Sequence, residues 1–254
     1  LGIDYVLFDR LCELSSRFRP EGRSLMLGRQ GFSIQSKFAK RYESSLAQHG
    51  LEGRRFDYLQ EDGFCETLMR KLGFGEIETM DFSDYEGAAI LQDLNRPVPA
   101  QLENQFGFIF DGGTIEHVFN VPQALENLFK MLKPGGRLVS ANGMNGWMGH
   151  GFYQFNPELV WTFWRRMAHC NLVDCRAIKK TPLPEPQHMA LPDPAETGHR
   201  LRFKENFPEG QVYLYYEVEK TTEARLGDIA LQSDYETTWA SHGKAGETNL
   251  GIGG

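Results

Sequence analysis

The stretch that most constrains this chain runs from Phe106 to Asn142, FGFIFDGGTIEHVFNVPQALENLFKMLKPGGRLVSAN. Its patterning predicts strand, turn, helix, turn and strand. Phe106 to Phe110 is an apolar run that closes on Asp111, as in a strand buried on both faces of a parallel sheet. Gly112 and Gly113 allow a sharp turn there. Leu125, Leu128, Phe129 and Leu132 then recur at i, i+3, i+4 and i+7, one apolar helical face. Pro134, Gly135 and Gly136 are expected to stop that helix. Arg137 to Ala141 is expected to form the next strand, with Asn142 at its end. Strand, crossover helix and parallel strand make a right-handed βαβ unit. In open sheets of this kind ligands bind beyond the carboxyl ends of the strands. Asp111, Gly112, Gly113 and Asn142 all fall on that edge.

The flanking chain extends the same alternation. A helix is expected over residues 4–18, where Val6, Leu7, Leu11 and Leu14 are close to helical spacing; it packs beside the sheet or forms part of a lid. SLML, Ser24 to Leu27, reads as the first strand, and Gly28-Arg29-Gln30-Gly31 as a glycine-bearing turn before a helix over 33–49. Such a turn is either a plain reversal or a place where backbone approaches a nucleotide-like ligand. A helix with Phe64, Leu68, Met69 and Leu72 on one face precedes a second strand, Glu76 to Met80, with Asp81 at its tip. Phe82 and Ser83 open a polar turn. Ala88 to Gln92 reads as a third strand, followed by Asp93 and Leu94. One acid at a strand end is ordinarily a turn or cap residue. Three on one edge, Asp81, Asp93 and Asp111, suit a ligand rich in hydroxyl and amino groups.

Beyond Asn142, Asn156-Pro157-Glu158 is a helix start; that helix is expected to reach about His169. Leu172 to Ile178 suits a sixth strand and Gln211 to Glu219 a final one. The proline-rich segment 181–199 reads as a long irregular loop, either a solvent-exposed excursion or a site cover. The organisation is thus one domain over residues 1–226. Residues 227–254 are polar and glycine-rich, and are expected to be a mobile tail. A chain of 254 residues suffices for one such α/β core, and its net charge of −7 argues against a broad nucleic-acid surface. The four cysteines show no metal-type spacing and read as reduced thiols, which implies a cytoplasmic protein. No metal site is read from the sequence. No apolar run is long enough for a membrane span and no signal-peptide pattern opens the chain.

The motifs FIFDGGTIEHVFN and MLKPGGRLV, with DFSDYEGAAILQDLNRPVP upstream and GHGFYQFNPE downstream, resemble the class I S-adenosylmethionine-dependent methyltransferases. The likeness spans roughly residues 24–220 and is strongest over 76–160. It implies a doubly wound, Rossmann-like α/β fold. It implies seven strands in the order 3-2-1-4-5-7-6, mostly parallel, with helices on both faces. It further implies S-adenosylmethionine as cofactor and S-adenosylhomocysteine as product. By the same resemblance the first turn supports the methionine part, through Gly28, Arg29 and Gln30. Asp81, with Phe82 and Ser83, binds the ribose; Asp93 and Leu94 border the adenine. Asp111, Gly112, Gly113 and His117 lie toward the methionine and substrate side. The first turn departs from the family pattern: SLMLGRQG has no acid in the strand and only two glycines. About 50 residues separate Gly28 from Asp81, where about 20 are usual in related dinucleotide folds.

The expected activity is methyl transfer to a small-molecule acceptor, such as a sugar or another biosynthetic intermediate. The alternative is a non-catalytic relative that binds a small ligand or a protein. A nicotinamide enzyme is disfavoured by the lack of GxGxxG after the first strand. His150, in the GHG turn, reads as a base, as a substrate contact or as a structural hydrogen-bonding residue, and Tyr153 as an orienting group. Trp147, Phe152, Tyr153 and Phe155 form either an aromatic substrate wall or core anchors. Lys179 and Lys180 either meet an acidic substrate or end a solvated strand.

Overall fold

In the computed structural model, which describes residues 2–180, 187–202, 207–227, 231–233 and 235, the central stretch forms the expected strand, helix and strand. The main sheet has eight strands: β1 (Arg23–Leu27), β2 (Ile77–Asp81), β3 (Ile90–Leu91), β4 (Phe106–Asp111), β5 (Leu132–Asn145), β6 (Asn171–Lys179), β7 (His188–Ala190) and β8 (Val212–Glu219). Their order is β3-β2-β1-β4-β5-β8-β6-β7. β3, β2, β1, β4 and β5 are mutually parallel. β8 lies antiparallel between β5 and β6, and β7 antiparallel on the outer edge of β6. The predicted doubly wound α/β sheet is therefore present, with eight strands rather than seven. The extra one comes from the proline-rich segment. There His188, Met189 and Ala190 pair with Ile178, Ala177 and Arg176, supplying backbone partners to an edge that side-chain patterning does not announce. A short helix, Pro194–Thr197, follows it. The irregular-loop reading thus fails over 188–190 and 194–197, while 181–186 lie outside the described residues. So do most residues of the expected tail.

Strand alternation divides the interior into two cores. Leu25, Leu27 and Ile109 face the core that takes α4 (Val121–Met131) and the helix starting at Pro157. Met26, Phe108 and Phe110 face the core that takes α1 (Tyr5–Arg17), α2 (Ala39–Gln48) and α3 (Glu66–Lys71). Strand β4 is buried along its whole length, as its apolar run requires. Helix α1 buries the predicted Val6, Leu7, Leu11 and Leu14, and Asp4 caps it by accepting from the Leu7 N–H at 3.0 Å. The chain from Pro157–Val160 continues in wider π geometry over Trp161–Met167, two residues short of the predicted end.

Two boundaries differ from the sequence expectation for a tertiary reason. α4 ends at Met131, ahead of the Pro-Gly-Gly, because Leu132 already pairs with Phe106. The buried Lys220 ammonium closes that helix end. It donates to Asn104 Oδ1 (2.8 Å) and to the carbonyls of Phe129 (2.8 Å) and Leu132 (2.7 Å). A cation at a helix C-terminus satisfies carbonyls that have no intrahelical partner. Strand β5 runs on past the tip of β4 to Asn145, paired there with β8 alone. Asn142 is therefore inside a strand, fully buried, and not at its end. This overhang stands as a wall above the carboxyl edge of the parallel strands.

Candidate functional site

Asp111 organises that edge. It has no solvent exposure. One carboxylate oxygen accepts from the backbone N–H of Thr114 (2.8 Å) and, more weakly, Ile115 (3.4 Å). The other accepts from Ser140 Oγ (2.7 Å) and Asn142 Nδ2 (2.8 Å). The four donors leave no orbital free for a ligand, so Asp111 acts on the site through the turn it holds. That turn places Thr114 Oγ1 on the Leu27 carbonyl at 2.8 Å and closes it over the end of β1.

The first turn lies against it. Gly28 has φ +62°, and a Cβ there would come within 3.0 Å of Thr114 Oγ1, 3.4 Å of Gln30 Nε2 and 3.8 Å of Asp81 Oδ2. Only glycine fits so close an approach in that conformation. Gln30 is buried; its Nε2 donates to Leu27 O at 3.0 Å. Its Oε1 meets no donor among the described residues. A Cβ on Gly112 would stand 3.1–3.2 Å from the Gln30 amide. Gly28, Gln30, Asp81, Gly112 and Thr114 are thus gathered at one spot. Asp81 is partly exposed, and its Oδ1 accepts the Phe82 N–H at 2.6 Å. Phe82 and Tyr85 are exposed aromatic rings beside it, with Ser83 exposed between them. Gly113 takes φ +100° in the Asp111 turn.

Other sequence-selected residues are committed elsewhere. The Arg29 guanidinium pairs with Glu66 (2.5 Å) and Asp62 (2.8 Å), and stacks over Phe64 at 3.9 Å. It ties the first turn to the segment inserted between β1 and β2. Asp93 accepts from both the backbone and side-chain nitrogens of Asn95 at 2.9 Å, which holds its carboxyl below the usual range. Leu94 is packed in the core, with its carbonyl bonded to Asn127 Nδ2 at 3.1 Å. The Tyr153 hydroxyl donates to Phe119 O at 2.8 Å. Trp147 and Phe155 are buried, whereas Phe152 is exposed, so the proposed aromatic wall divides between core and surface.

A second cluster sits two residues along from Thr114, and sequence reasoning saw only part of it. Glu116 is buried, with one oxygen accepting the Gly143 N–H of the β5 overhang at 2.6 Å. Its other oxygen faces two imidazoles, with Oε1 3.2 Å from His150 Nε2 and 3.8 Å from His117 Nε2. The two rings meet edge to face at 5.1 Å, and Trp147 packs on His150 at 5.0 Å. Burial, helped by the Asp111 charge and opposed by the Gly143 bond, pushes the Glu116 carboxyl up to about 7. Burial lowers both histidines below their ordinary value, and Lys180 also disfavours the charged form of His150. The signal in the sequence was the Glu116-His117 pair itself; its partner in the GHG turn is joined to it only by the fold. Gly151 lets that turn approach, because a Cβ there would meet Glu116 O at 2.8 Å.

Beside these clusters a cavity of about 490 Å³ is lined by Tyr5, Tyr42, Phe38, Arg41 and Lys180, among others. Lys180 Nζ lies 4.6 Å from the Trp147 ring, so that indole separates the cavity from His150. Among the described residues no helix is long and apolar enough to cross a membrane.

No protein-family model matches this chain, and no curated protein matches it in sequence. Solved structures similar to it include three methyltransferases. One is a S-adenosylmethionine-dependent enzyme of Thermotoga maritima, described as a possible histamine N-methyltransferase (16% identity, 85% of this chain and 93% of that one, TM-score 0.36). Another is a TehB-like S-adenosylmethionine-dependent methyltransferase of Corynebacterium glutamicum (16%, 87% and 90%, TM-score 0.40). The third is 1,6-didemethyltoxoflavin-N1-methyltransferase of Burkholderia thailandensis, solved with 1,6-didemethyltoxoflavin and S-adenosylhomocysteine (15%, 84% and 79%, TM-score 0.37). These values are low, and the fold described above rests on this chain's own strand order and pairing.

Proposed function

We propose that this protein transfers a methyl group from S-adenosylmethionine to a small-molecule acceptor. The observation that carries this reading is the acceptor atom Gln30 Oε1, buried between Gly28 and Gly112 without a donor among the described residues, with Asp81 alongside at the tip of the next strand. A buried acceptor left unpaired costs about 1–3 kcal/mol. A ligand amino group placed there would remove that cost. S-adenosylmethionine carries such a group at one end and two ribose hydroxyls in its middle.

In this reading Gln30 holds the amino group and Asp81 accepts from the ribose hydroxyls. Phe82 and Tyr85 offer apolar faces for the base. Gly28 and Gly112 let the backbone of both turns come close to the Gln30 amide. Asp111 positions, by holding the Thr114 turn, and does not touch the cofactor. Leu94 contributes backbone or apolar edge at most, since its side chain is in the core, whereas the Asn95 bonds occupy only Oδ1 of the partly exposed Asp93. The cofactor supplies an electrophilic methyl on a sulfonium. The chain's part is to hold an acceptor atom in line with it, about 3–3.5 Å from the methyl carbon. The polar groups on the acceptor side are Glu116, His117 and His150, and Tyr153 orients the segment between them through its bond to Phe119 O. A net charge of −7 does not favour a nucleic-acid acceptor.

Titration calorimetry with S-adenosylmethionine and S-adenosylhomocysteine tests the reading, with Gln30→Leu and Asp81→Ala alongside. Hydrogen bonds to charged groups contribute about 1.5–3 kcal/mol. Gln30→Leu is therefore expected to weaken binding roughly 10- to 150-fold, and Asp81→Ala by a similar factor. If the wild type binds neither compound, the proposal fails. If it binds and both variants bind equally well, the placement fails.

A further inference from the structure

We infer that Glu116, His117 and His150 form a binding site for one divalent first-row transition-metal ion, with Zn²⁺ as the reference case. Three independent features support it. The first is convergence: one oxygen and two nitrogens, from the segment after β4 and from the turn after β5, lie within 4.8 Å of one another. Around a metal at about 2.0–2.2 Å, ligand atoms stand roughly 3.0–3.5 Å apart. The Glu116–His150 separation of 3.2 Å already has that value, and the Glu116–His117 separation of 3.8 Å is close to it. His117 is partly exposed, with room for its ring to close the remainder.

The second feature is a close contact without a hydrogen bond. His150 Nε2 is shielded from solvent and 3.2 Å from Glu116 Oε1, yet the two do not have hydrogen-bond geometry. Two heteroatoms that face each other this closely without a hydrogen bond leave a position that a cation can fill. The third is the support around the ligands. The other Glu116 oxygen is fixed by the Gly143 N–H, and His150 is backed by Trp147. Metal ligands are typically oriented by such outer contacts. The Asp111 carboxylate behind Glu116 adds negative charge. The one opposing charge named above, Lys180, rests over Trp147 on the cavity side.

Two imidazoles and one carboxylate suit zinc and its neighbours, not magnesium or calcium. Three protein ligands leave a coordination position for water or for an oxygen of the acceptor. That role in catalysis rests on the methyl-transfer reading, whereas the site itself does not. The test uses the full chain, stripped with a chelator and titrated with ZnCl₂ by calorimetry. Co²⁺ absorption in the visible is the second readout. The wild type is expected to bind one Zn²⁺ per chain and to give ligand-field bands with Co²⁺. His117→Ala, at an exposed position, and His150→Ala, at a half-buried one, are each expected to weaken Zn²⁺ at least tenfold and to change those bands. Absence of stoichiometric binding to the wild type, or binding by both variants as tight as that of the wild type, would overturn the site. S-adenosylmethionine titrated into the same samples separates the two proposals. Cofactor binding without zinc binding removes only the metal site, and zinc binding without cofactor binding removes only the cofactor reading.

Discussion

Replacing Asp111 separates a structural carboxylate from a ligand-binding one. In Asp111→Ala the N–H of Thr114, the Ser140 hydroxyl and the Asn142 amide lose an acceptor at 2.7–2.8 Å, and the weaker Ile115 bond goes with them. Asn142 Nδ2 keeps its 2.7 Å bond to Ser140 Oγ, so two or three donors are left short. Each buried unsatisfied group costs about 1–3 kcal/mol. Partial relaxation brings the expected loss to about 3–5 kcal/mol, a large share of an ordinary domain's stability. For a chain of this size that lowers Tm by roughly 6–20 °C. Asp111→Asn should be milder, about 1–2 kcal/mol. Its new NH₂ can meet Asn142 Oδ1, which has no partner among the described residues, once that amide turns over. Scanning calorimetry and urea unfolding followed by tryptophan fluorescence give both numbers. An alanine variant within 1 kcal/mol of wild type would refute the reasoning. So would an asparagine variant that loses as much as alanine.

Two further substitutions probe the frame. Lys220→Met leaves the carbonyls of Phe129 and Leu132 and the Asn104 side chain without their shared donor; a loss of about 2–4 kcal/mol in urea unfolding is expected, and an unchanged midpoint would dismiss Lys220 as the end-cap of α4. The paired Arg23 guanidinium holds the Glu78 carboxyl below its ordinary value of 4.5, which links β1 to β2. Because the folded value is the lower one, this contribution is present above pH 4.5 and is lost as the pH falls through the folded value. The Tm gap between wild type and Glu78→Gln should therefore narrow between pH 6 and pH 3; a gap that widens on acidification contradicts the pairing.

Much of the frame was legible because buried strands and amphipathic helices leave periodic traces. Phe106 to Asp111 and the apolar face of α1 are cases where local pattern and tertiary burial agree. The overhang of β5 was not legible, since GMN in Gly143 to Asn145 has no apolar signature and gains its partners from β8. The edge strand at His188–Ala190 is too short to carry a pattern, whereas the two-residue β3 falls within the predicted Ala88 to Gln92. The site was legible only as an address. Glycines and acids at strand ends marked the carboxyl edge, but a carboxylate placed there can stay partly exposed, as Asp81 and Asp93 do, or be buried and saturated by its own fold, as Asp111 is. Nothing in residue type distinguishes them.

By itself, then, the sequence determined most of the strands and helices, that β4 and β5 run parallel, and which edge collects the polar residues. Those follow from periodicity and from the handedness of crossovers, which act over a few turns of chain. Tertiary structure alone decided which polar groups remain unspent. The Gln30 acceptor without a donor among the described residues, the saturated Asp111 and the meeting of Glu116 with His117 and His150 depend on where distant groups fall. Hydrogen-bond satisfaction is a property of neighbours in space, which a linear pattern does not encode.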